Sequence, residues 1–443
     1  MTISLKKVVI KMSSVWIDGA ERPRFDRLLG SKRTDVLIVG GGIAGILCAY
    51  MLRQSGVDCI LIEADRICNG VTRNTTAKIT LQHGLIYDKL ISRFGEEGAR
   101  LYLWAQKSAC SEFARICKDI KCDYETKDSY VYSVSNRYKI EREVAALNLL
   151  GETAELAYDL SLPVDAVGAV KVKNQAQFNP LKFAFEIARD LPIYERTKAR
   201  ELMPNRVMTD LGEIVCEKMI IATHFPILNK HGGYFLKLYQ HRSYVLALEN
   251  AADVSGMYVD EDERGLSFRN YKNLLLLGGG SHRTGKKGGS YTELERIASS
   301  AYPSAKIVRK WATQDCMTLD EVPYIGRYSK GTPDIFVATG FNKWGMSSSM
   351  LSAMILSEMV QEKHSEYERV FSPTRSMLRP QLAVNAFESV VGLLTPTAPR
   401  CPHLGCALKY NKQEHSWDCP CHGSRFSESG ELINNPATDD KNF

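Results

Sequence analysis

Near its amino end the chain changes hydrophobic period twice. Residues 35–39, Asp-Val-Leu-Ile-Val, form a short β-branched run that reads as a buried strand, and apolar positions then recur at helical spacing through Leu52. Gly56 ends that helix, and residues 59–62 form a second apolar strand closed by Glu63. Residues 96–120 repeat at helical spacing, with Leu101, Trp104, Ala105, Ser108 and Phe113 on one core-facing side. Residues 123–133 alternate like a strand, and 138–150 read as a helix. Asn179 caps and Pro180 opens a helix through Ala188. Residues 218–222 predict a strand, residues 243–248, 256–259 and 274–277 an antiparallel sheet, and residues 335–339 a strand before a helix from Gly345 to about Val360. Residues 1–33 and 365–395 lack a clear period. The first reads as an arm packed on the body, the second as a connecting segment.

Composition narrows the class. With 443 residues, 44% hydrophobic and 24% charged, the chain has room for two or three ordinary globular domains. A net charge of +6 without a basic block does not point to nucleic acid. Lys7 and Lys11 interrupt the apolar Val8, Val9 and Ile10, so no secretory signal is read, and no run is long enough for a membrane span; the expected location is cytoplasmic. Cys48, Cys59, Cys68, Cys110, Cys117, Cys122, Cys216 and Cys316 are scattered and read as small buried hydrophobes.

The turn between the first strand and helix is Gly40-Gly41-Gly42-Ile43-Ala44-Gly45. Gly40 permits a tight turn, Gly42 lets the backbone approach a pyrophosphate, and Gly45 lets the helix pack close to the strand. The helix amino terminus then faces the phosphates, and Glu63 is placed for ribose hydroxyls. This is a dinucleotide-binding unit, which alone does not separate FAD from NAD.

At the other end stand Cys401-Pro402-His403-Leu404-Gly405-Cys406 and Cys419-Pro420-Cys421-His422-Gly423-Ser424. Thiolates and imidazoles at C-x-H and C-x-x-H spacing suit a [2Fe–2S] centre with Cys on one iron and His on the other; a Cys2His2 zinc site uses the same ligand types.

These blocks closely resemble the Rieske cluster motif. The resemblance implies Cys401 and Cys419 on one iron, His403 and His422 on the other, and Cys406 and Cys421 where high-potential Rieske proteins tie the loops by a disulfide. It also implies that Ser424 donates towards a bridging sulfide, and that Phe426 replaces a Tyr donor of high-potential members. The stretch before Cys401 leaves no room for the strands of a complete Rieske domain, so only the cluster-binding half is expected, resting on its neighbour.

The polar loop at residues 70–78, with Ile79-Thr80-Leu81-Gln82-His83-Gly84 after it, resembles the flavin loop of the D-amino acid oxidase and glycine oxidase group, and from residue 34 onward the chain resembles members of that group that carry a carboxy-terminal Rieske domain. The resemblance implies an α/β (α+β overall) fold, with a Rossmann-like FAD-binding domain (34–122, 176–232 and 315–364) interleaved with an antiparallel-sheet substrate domain (123–175 and 233–314). The arm at 1–33, a linker at 365–395 and a Rieske domain at 396–443 complete it. FAD contacts are expected from Gly40, Gly42, Ile43, Ala44, Gly45, Glu63 and Ala64. Further contacts fall on Thr72, Thr75, Thr76 and Ala77, on Ala222 and Thr223, and on Gly340, Lys343, Trp344, Gly345 and Met346. The positive end of the helix from Gly345 would face the flavin pyrimidine. His224 reads as a residue of the family's turn. Arg242, Tyr258, Arg269 and His282 are expected near the substrate, an arginine pairing with a substrate carboxylate. The spacing of Cys316 from Asp320 departs from that of the flavin-linking cysteine in relatives, so a non-covalent flavin is expected.

The activity so implied is oxidation of a small amine or amino-acid-like substrate by hydride transfer to FAD, then single-electron transfer to the cluster and an unidentified acceptor. Two alternatives stay open: an electron-transfer or redox-sensing protein with a protein partner, and an oxygen-using oxidase.

Overall fold

The computed structural model describes residues 10–228, 231–262, 264–396 and 399–442. The first nine residues of the expected arm, including most of the stretch read for a secretory signal, lie outside the described residues. The remainder of the arm does pack on the body: Trp16 is fully buried, edge-on to Tyr271 at 4.7 Å.

The chain builds two sheets by crossing between them. Strand β1 (Gly30–Val39), helix α1 (Ile43–Gln54) and strand β2 (Cys59–Ile62) form the expected unit. After an excursion the chain returns in β3 (Gly212–Ile221), leaves through β4 (Leu238–Glu249), β5 (Leu274–Arg283) and β6 (Lys306–Thr318), and returns again in β7 (Thr332–Thr339) and α2 (Gly345–Val360). Among the described residues, β7, β3, β1 and β2 lie side by side and parallel at the centre of an eight-stranded sheet. Their inward runs are continuously apolar, as strands covered on both faces must be. The second sheet has nine strands; β6, β4 and β5 form one end of it and are antiparallel.

Sequence and structure differ at several places. The helix expected from residue 96 runs Tyr87–Cys117, broken at Gly95, whose φ of +71° is non-helical. A strand at Ser267–Tyr271 joins the sheet between β5 and Met257–Asp260. The expected connecting segment holds a helix, α3 (Pro380–Leu394). Its exposed positions are Pro380, Ala383, Val384, Phe387, Val390, Val391, Leu393 and Leu394, all apolar, whereas Asn385 and Gly392 are buried. Asn385 donates to Leu236 O at 3.1 Å and accepts from Arg283 at 2.9 Å.

After α3 comes a small module of short strands, Lys409–Asn411, Ser416–Asp418, Arg425–Ser427 and Leu432–Asn434, paired as an antiparallel sheet. Its core contains Cys401, Cys406, Leu408, Cys419, Cys421, Phe426 and Ala437. So few apolar side chains support little independent stability, and the module leans on β4, β5 and β6. No helix among the described residues is long and apolar enough to cross a membrane.

Candidate functional site

A cavity of about 760 Å³ opens where α1, α2 and the β4–β6 end of the second sheet meet. Gly40, Gly42, Ile43, Ala44, Glu63, Ala64, Thr72, Thr75 and Thr76 line one part of it; Ala222, Thr223, Lys343, Trp344, Gly345 and Met346 line another. Gly45, Ala77 and Gly340 stay behind the wall. A Cβ on Gly45 would stand 1.9 Å from Gly40 O, so its role is the close approach of α1 to the turn. Gly340 takes φ +70° against the Thr318 side chain.

The cradle suits a dinucleotide. No side chain caps α1 at Gly42, and Ile43 N donates to Thr72 Oγ1 at 3.1 Å, so the helix amino terminus opens on the cavity. The Glu63 carboxylate accepts from Gly41 N at 2.7 Å and Asp65 N at 2.9 Å, and each oxygen keeps a lone pair for a hydroxyl. His83, which lines the cavity, stacks on Trp344 at 5.1 Å; its Nδ1 meets Tyr102 Oη at 2.7 Å and its Nε2 meets Ser347 Oγ at 2.8 Å. Burial pushes this imidazole down to about 3, so it is neutral.

Arg269 does not reach the cavity. The polar loop is pinned from behind at successive carbonyls: Trp311 donates to Asn74 O at 3.0 Å, Trp16 to Thr75 O at 2.7 Å, and Arg269 to Thr76 O at 2.5 Å and Ala77 O at 2.7 Å. Its guanidinium also lies 5.2 Å from the Trp16 ring centre. Three more expected substrate residues are displaced. Tyr258 stacks on Tyr130 at 4.5 Å inside the second sheet. His282 stacks on Tyr244 at 5.8 Å, with Nδ1 on Gly280 O at 3.1 Å. Arg242 is buried in a bidentate ion pair with Glu414 of the carboxy-terminal module. Each spends its hydrogen-bonding or stacking capacity inside the protein. Among the described residues, no arginine lines the cavity.

Other groups take that position. Tyr239 and Ser243 on β4 and Thr313, Asp315 and Met317 on β6 share one face by register, and all five line the cavity. Ser281, Lys343 and His224 complete this end, with Lys343 Nζ donating to Ser281 Oγ at 2.8 Å. Burial pushes the Asp315 carboxyl up to about 6, against Lys343 and Arg242. An isolated acid in a strand carries no motif, so nothing in the sequence marks it out. Cys316 is not on the cavity lining and is buried beside Thr339 Oγ1 at 3.7 Å.

Residues Gln240 and Gln314, on the reverse face, hold the carboxy-terminal module. Gln240 Nε2 donates to His422 O at 2.8 Å and Asn435 O at 2.9 Å; Gln314 Nε2 donates to Gly423 O at 2.8 Å and Gln240 Oε1 at 2.7 Å. Arg283 reaches the same loop, donating to Pro420 O and Cys421 O, each at 3.0 Å. His224 Nε2 meets Gln240 Oε1 at 3.2 Å, and burial pushes its imidazole down to about 4.

The cluster motif folds into two loops that bring its donors together. Cys401, Cys419 and His422 are buried and His403 is half-buried. The two imidazoles lie 4.9 Å apart. Both ring nitrogens of His422 are buried without a hydrogen-bond partner, an arrangement that a bound metal would relieve. Burial pushes His403 down to about 3 and His422 to about 4, leaving both imidazoles neutral. The donor set fits a [2Fe–2S] cluster. The Sγ atoms of Cys406, Cys419 and Cys421 lie within 4.8 Å of one another, and Cys406 and Cys421 are thiols here. Ser424 Oγ accepts from Ala437 N at 2.9 Å, which leaves its hydroxyl hydrogen for a sulfur.

Residues 35–359 match the family model described as FAD dependent oxidoreductase, and residues 373–442 match that of the Rieske [2Fe-2S] domain. The chain is 35% identical over 485 aligned positions to the "Putative Rieske 2Fe-2S iron-sulfur protein YhfW" of Bacillus subtilis (strain 168), covering 95% of each. Its fold is similar to that of glycine oxidase from Geobacillus kaustophilus, with a TM-score of 0.66 and 18% identity over 78% of this chain and 99% of the other. L-proline dehydrogenase from P. horikoshii gives a TM-score of 0.66 and 16% identity over 78% of this chain and 98% of the other.

Proposed function

This chain belongs to the FAD dependent oxidoreductase family and ends in a Rieske [2Fe-2S] domain, and on that premise we propose that it is a dehydrogenase of small amines or amino-acid-like molecules whose electrons pass on from FAD to the cluster. The bound FAD supplies a two-electron acceptor and the cluster a one-electron carrier.

One observation carries the reading. Thr223 and His224 line the cavity, and the next residue, Phe225, stands edge-on to His403 at 6.2 Å and to His422 at 6.3 Å. A single turn thus spans from the flavin cavity to the histidine side of the cluster loops. Residues of the module, Asn434, Asn435 and Ala437 among them, line the same cavity.

In this reading Gly40, Gly42 and Gly45 bring α1 to the pyrophosphate and Glu63 takes the ribose hydroxyls. The loop at Thr72, Thr75 and Thr76 would run along the flavin, with Ala77 anchored behind it by Arg269. The amino terminus of α2, at Gly345 and Met346 on the cavity wall, would set its positive end against the flavin pyrimidine. Cys401 and Cys419 hold one iron, His403 and His422 the other. The activities by which the glycine oxidase and L-proline dehydrogenase neighbours are named support a substrate with C–H beside nitrogen.

The test is EPR of the anaerobically treated protein with iron, sulfide and flavin quantified on one sample. A substrate amine that bleaches the flavin and then brings up a Rieske-type signal is the expected result. Peroxide formed in step with substrate loss, with the cluster staying oxidised, makes the protein an oxidase instead. Zinc in place of iron removes the electron path.

A further inference from the structure

The charges around the cavity do not balance locally, and the excess has a sign. Its cations each have a partner, an acidic side chain for Lys89 and Lys198 and a neutral hydroxyl for Lys78 and Lys343. Lys78 Nζ donates to Thr76 Oγ1 at 3.1 Å, Lys89 pairs with Glu321 at 2.7 Å, Lys198 pairs with Asp439 at 3.1 Å, and Lys343 donates to Ser281 at 2.8 Å. Of the carboxylates, Glu63 accepts two backbone amides, Glu261 pairs with Lys139 at 2.9 Å, and Asp260 and Asp262 accept from the backbone of their own turn.

Asp315 is different. It lines the cavity half-buried, and among the described residues no donor makes a hydrogen bond to its carboxylate and no cation lies within ion-pair distance. A half-buried carboxylate without a protein donor keeps its acceptor capacity open to the cavity, and a bound cation that brings its own N–H groups fills it. Thr313 stands two residues before it on β6, with Ser243 directly opposite Thr313 on β4, so two hydroxyls share its face of the sheet. The spacing along the strand is about 7 Å, within the reach of one small ligand. A carboxylate and two hydroxyls together offer acceptors to the three donors of an ammonium group. Lys343, which acts on Asp315 from a distance, is turned to Ser281 Oγ, so a carboxylate ligand would meet the Asp315 charge and find no guanidinium on the lining.

We propose that Asp315, with Ser243 and Thr313, binds the ammonium end of a primary or secondary amine, so that the molecule oxidised in this cavity is recognised by a positive charge and not by an amino-acid carboxylate. The proposal rests on the flavin reading of the cavity. It narrows the substrate class from amines and amino acids to amines without a required carboxylate.

The test uses the purified holoenzyme under anaerobic conditions. n-Propylamine and benzylamine are titrated against propionate and benzoate, with the flavin absorption spectrum and the heat of binding followed in parallel. Both amines are expected to bind and perturb the flavin, and the two carboxylates are not. Asp315→Asn should weaken amine binding at least about tenfold, the scale of one charge-assisted contact, with FAD content unchanged. Thr313→Val and Ser243→Ala should each weaken it less, and they report on the same site if Asp315→Asn fails to fold. Carboxylates that bind and shift the flavin spectrum while the amines do not overturn the inference and leave the flavin reading standing. Amine affinity unchanged in Asp315→Asn overturns it as well. Heat from amine binding that is lost in Asp315→Asn but never perturbs the flavin supports the amine site and removes the flavin from this cavity.

Discussion

Gln314 and Asp315 are neighbours on one strand whose side chains serve opposite faces of the sheet. Gln314 Nε2 donates to Gly423 O at 2.8 Å, beside the cluster-ligand candidate His422, while Asp315 lines the cavity. Alternation along β6 and its partner β4 therefore divides the work: Tyr239, Ser243, Thr313, Asp315 and Met317 face the cavity, and Gln240, Arg242 and Gln314 grip the iron–sulfur module. A one-residue slip in this register would exchange the faces and abolish both sites at once.

The Arg242–Glu414 pair is a principal anchor of that module. Burial works to raise the Glu414 carboxyl, but the Arg242 and Arg425 guanidiniums override it and hold it down at about 2. Its folded value lies below its ordinary 4.5, so its stabilising contribution is complete above about 4.5 and is lost as pH falls towards about 2. Replacing Arg242 by Ala removes the bidentate contact and leaves Glu414 with Arg425 alone at 3.2 Å, and should cost about 1.5–3 kcal/mol. The expected outcome is a module that loosens on its own. Limited proteolysis should cut Arg242→Ala between α3 and the first cluster loop while FAD stays bound, and equal resistance in wild type and variant would count against the anchor.

Arg269 pins the polar loop without touching the cavity. Its loss frees two carbonyls, Thr76 O and Ala77 O, and leaves the Trp16 ring without its cation. Charge-assisted hydrogen bonds of this kind are worth about 1.5–3 kcal/mol each, so Arg269→Ala should lower FAD affinity by about tenfold or more. Flavin release on gel filtration measures this, and full retention of FAD in the variant would show that the loop does not depend on Arg269. Lys at this position should rescue only in part, since a point charge on a flexible stem does not hold two carbonyls as a fork does.

Phe426 is fully buried in the module core with Cys401, Cys406, Cys419 and Cys421. A hydroxyl at its ring tip would add a donor among those sulfurs, and donors to ligand sulfur raise the potential by favouring the reduced, more negative cluster. Phe426→Tyr should therefore shift an EPR-monitored redox titration upward. An unchanged midpoint would mean that the hydroxyl does not reach a sulfur.

The nucleotide unit was legible in the sequence because its evidence is local: a period that switches from strand to helix and back, with Gly40, Gly42, Gly45 and Glu63 at fixed offsets. The cluster loops were legible for the same reason. What failed was non-local. Arg242 could not announce a partner 172 residues away, and with Glu414 in reach it is consumed by docking and unavailable to a substrate. Helix α3 carries Val384, Phe387, Val391 and Leu394 at helical spacing, but that stripe stands exposed while Asn385 faces inward to serve Leu236 and Arg283, so which face the helix buries was not legible in its sequence. The long helix was cut short by Gly95, whose positive φ interrupts the pattern in its first turns.

Asp315 sets function against stability, and pH separates the two. Burial raises its carboxyl from the ordinary 3.8 to about 6, with Lys343 and Arg242 pulling it back. A folded value above the unfolded one means that ionisation opposes the fold: the penalty is absent below about pH 4, grows through the interval and is complete above about pH 6. Asp315→Asn should therefore raise stability by roughly 1–3 kcal/mol at about pH 8 and leave it unchanged below about pH 4. Amine binding runs the other way, because the cation needs the ionised carboxylate. Affinity for n-propylamine, which stays an ammonium throughout this range, should fall as pH drops through about 6 in the wild type and stay flat in Asp315→Asn. Thermal midpoints at the two ends of that range and a pH series of binding titrations measure both arms. A variant no more stable than wild type at the higher pH would show that the buried carboxylate is not strained, and a wild-type affinity independent of pH would show that it is not what holds the cation.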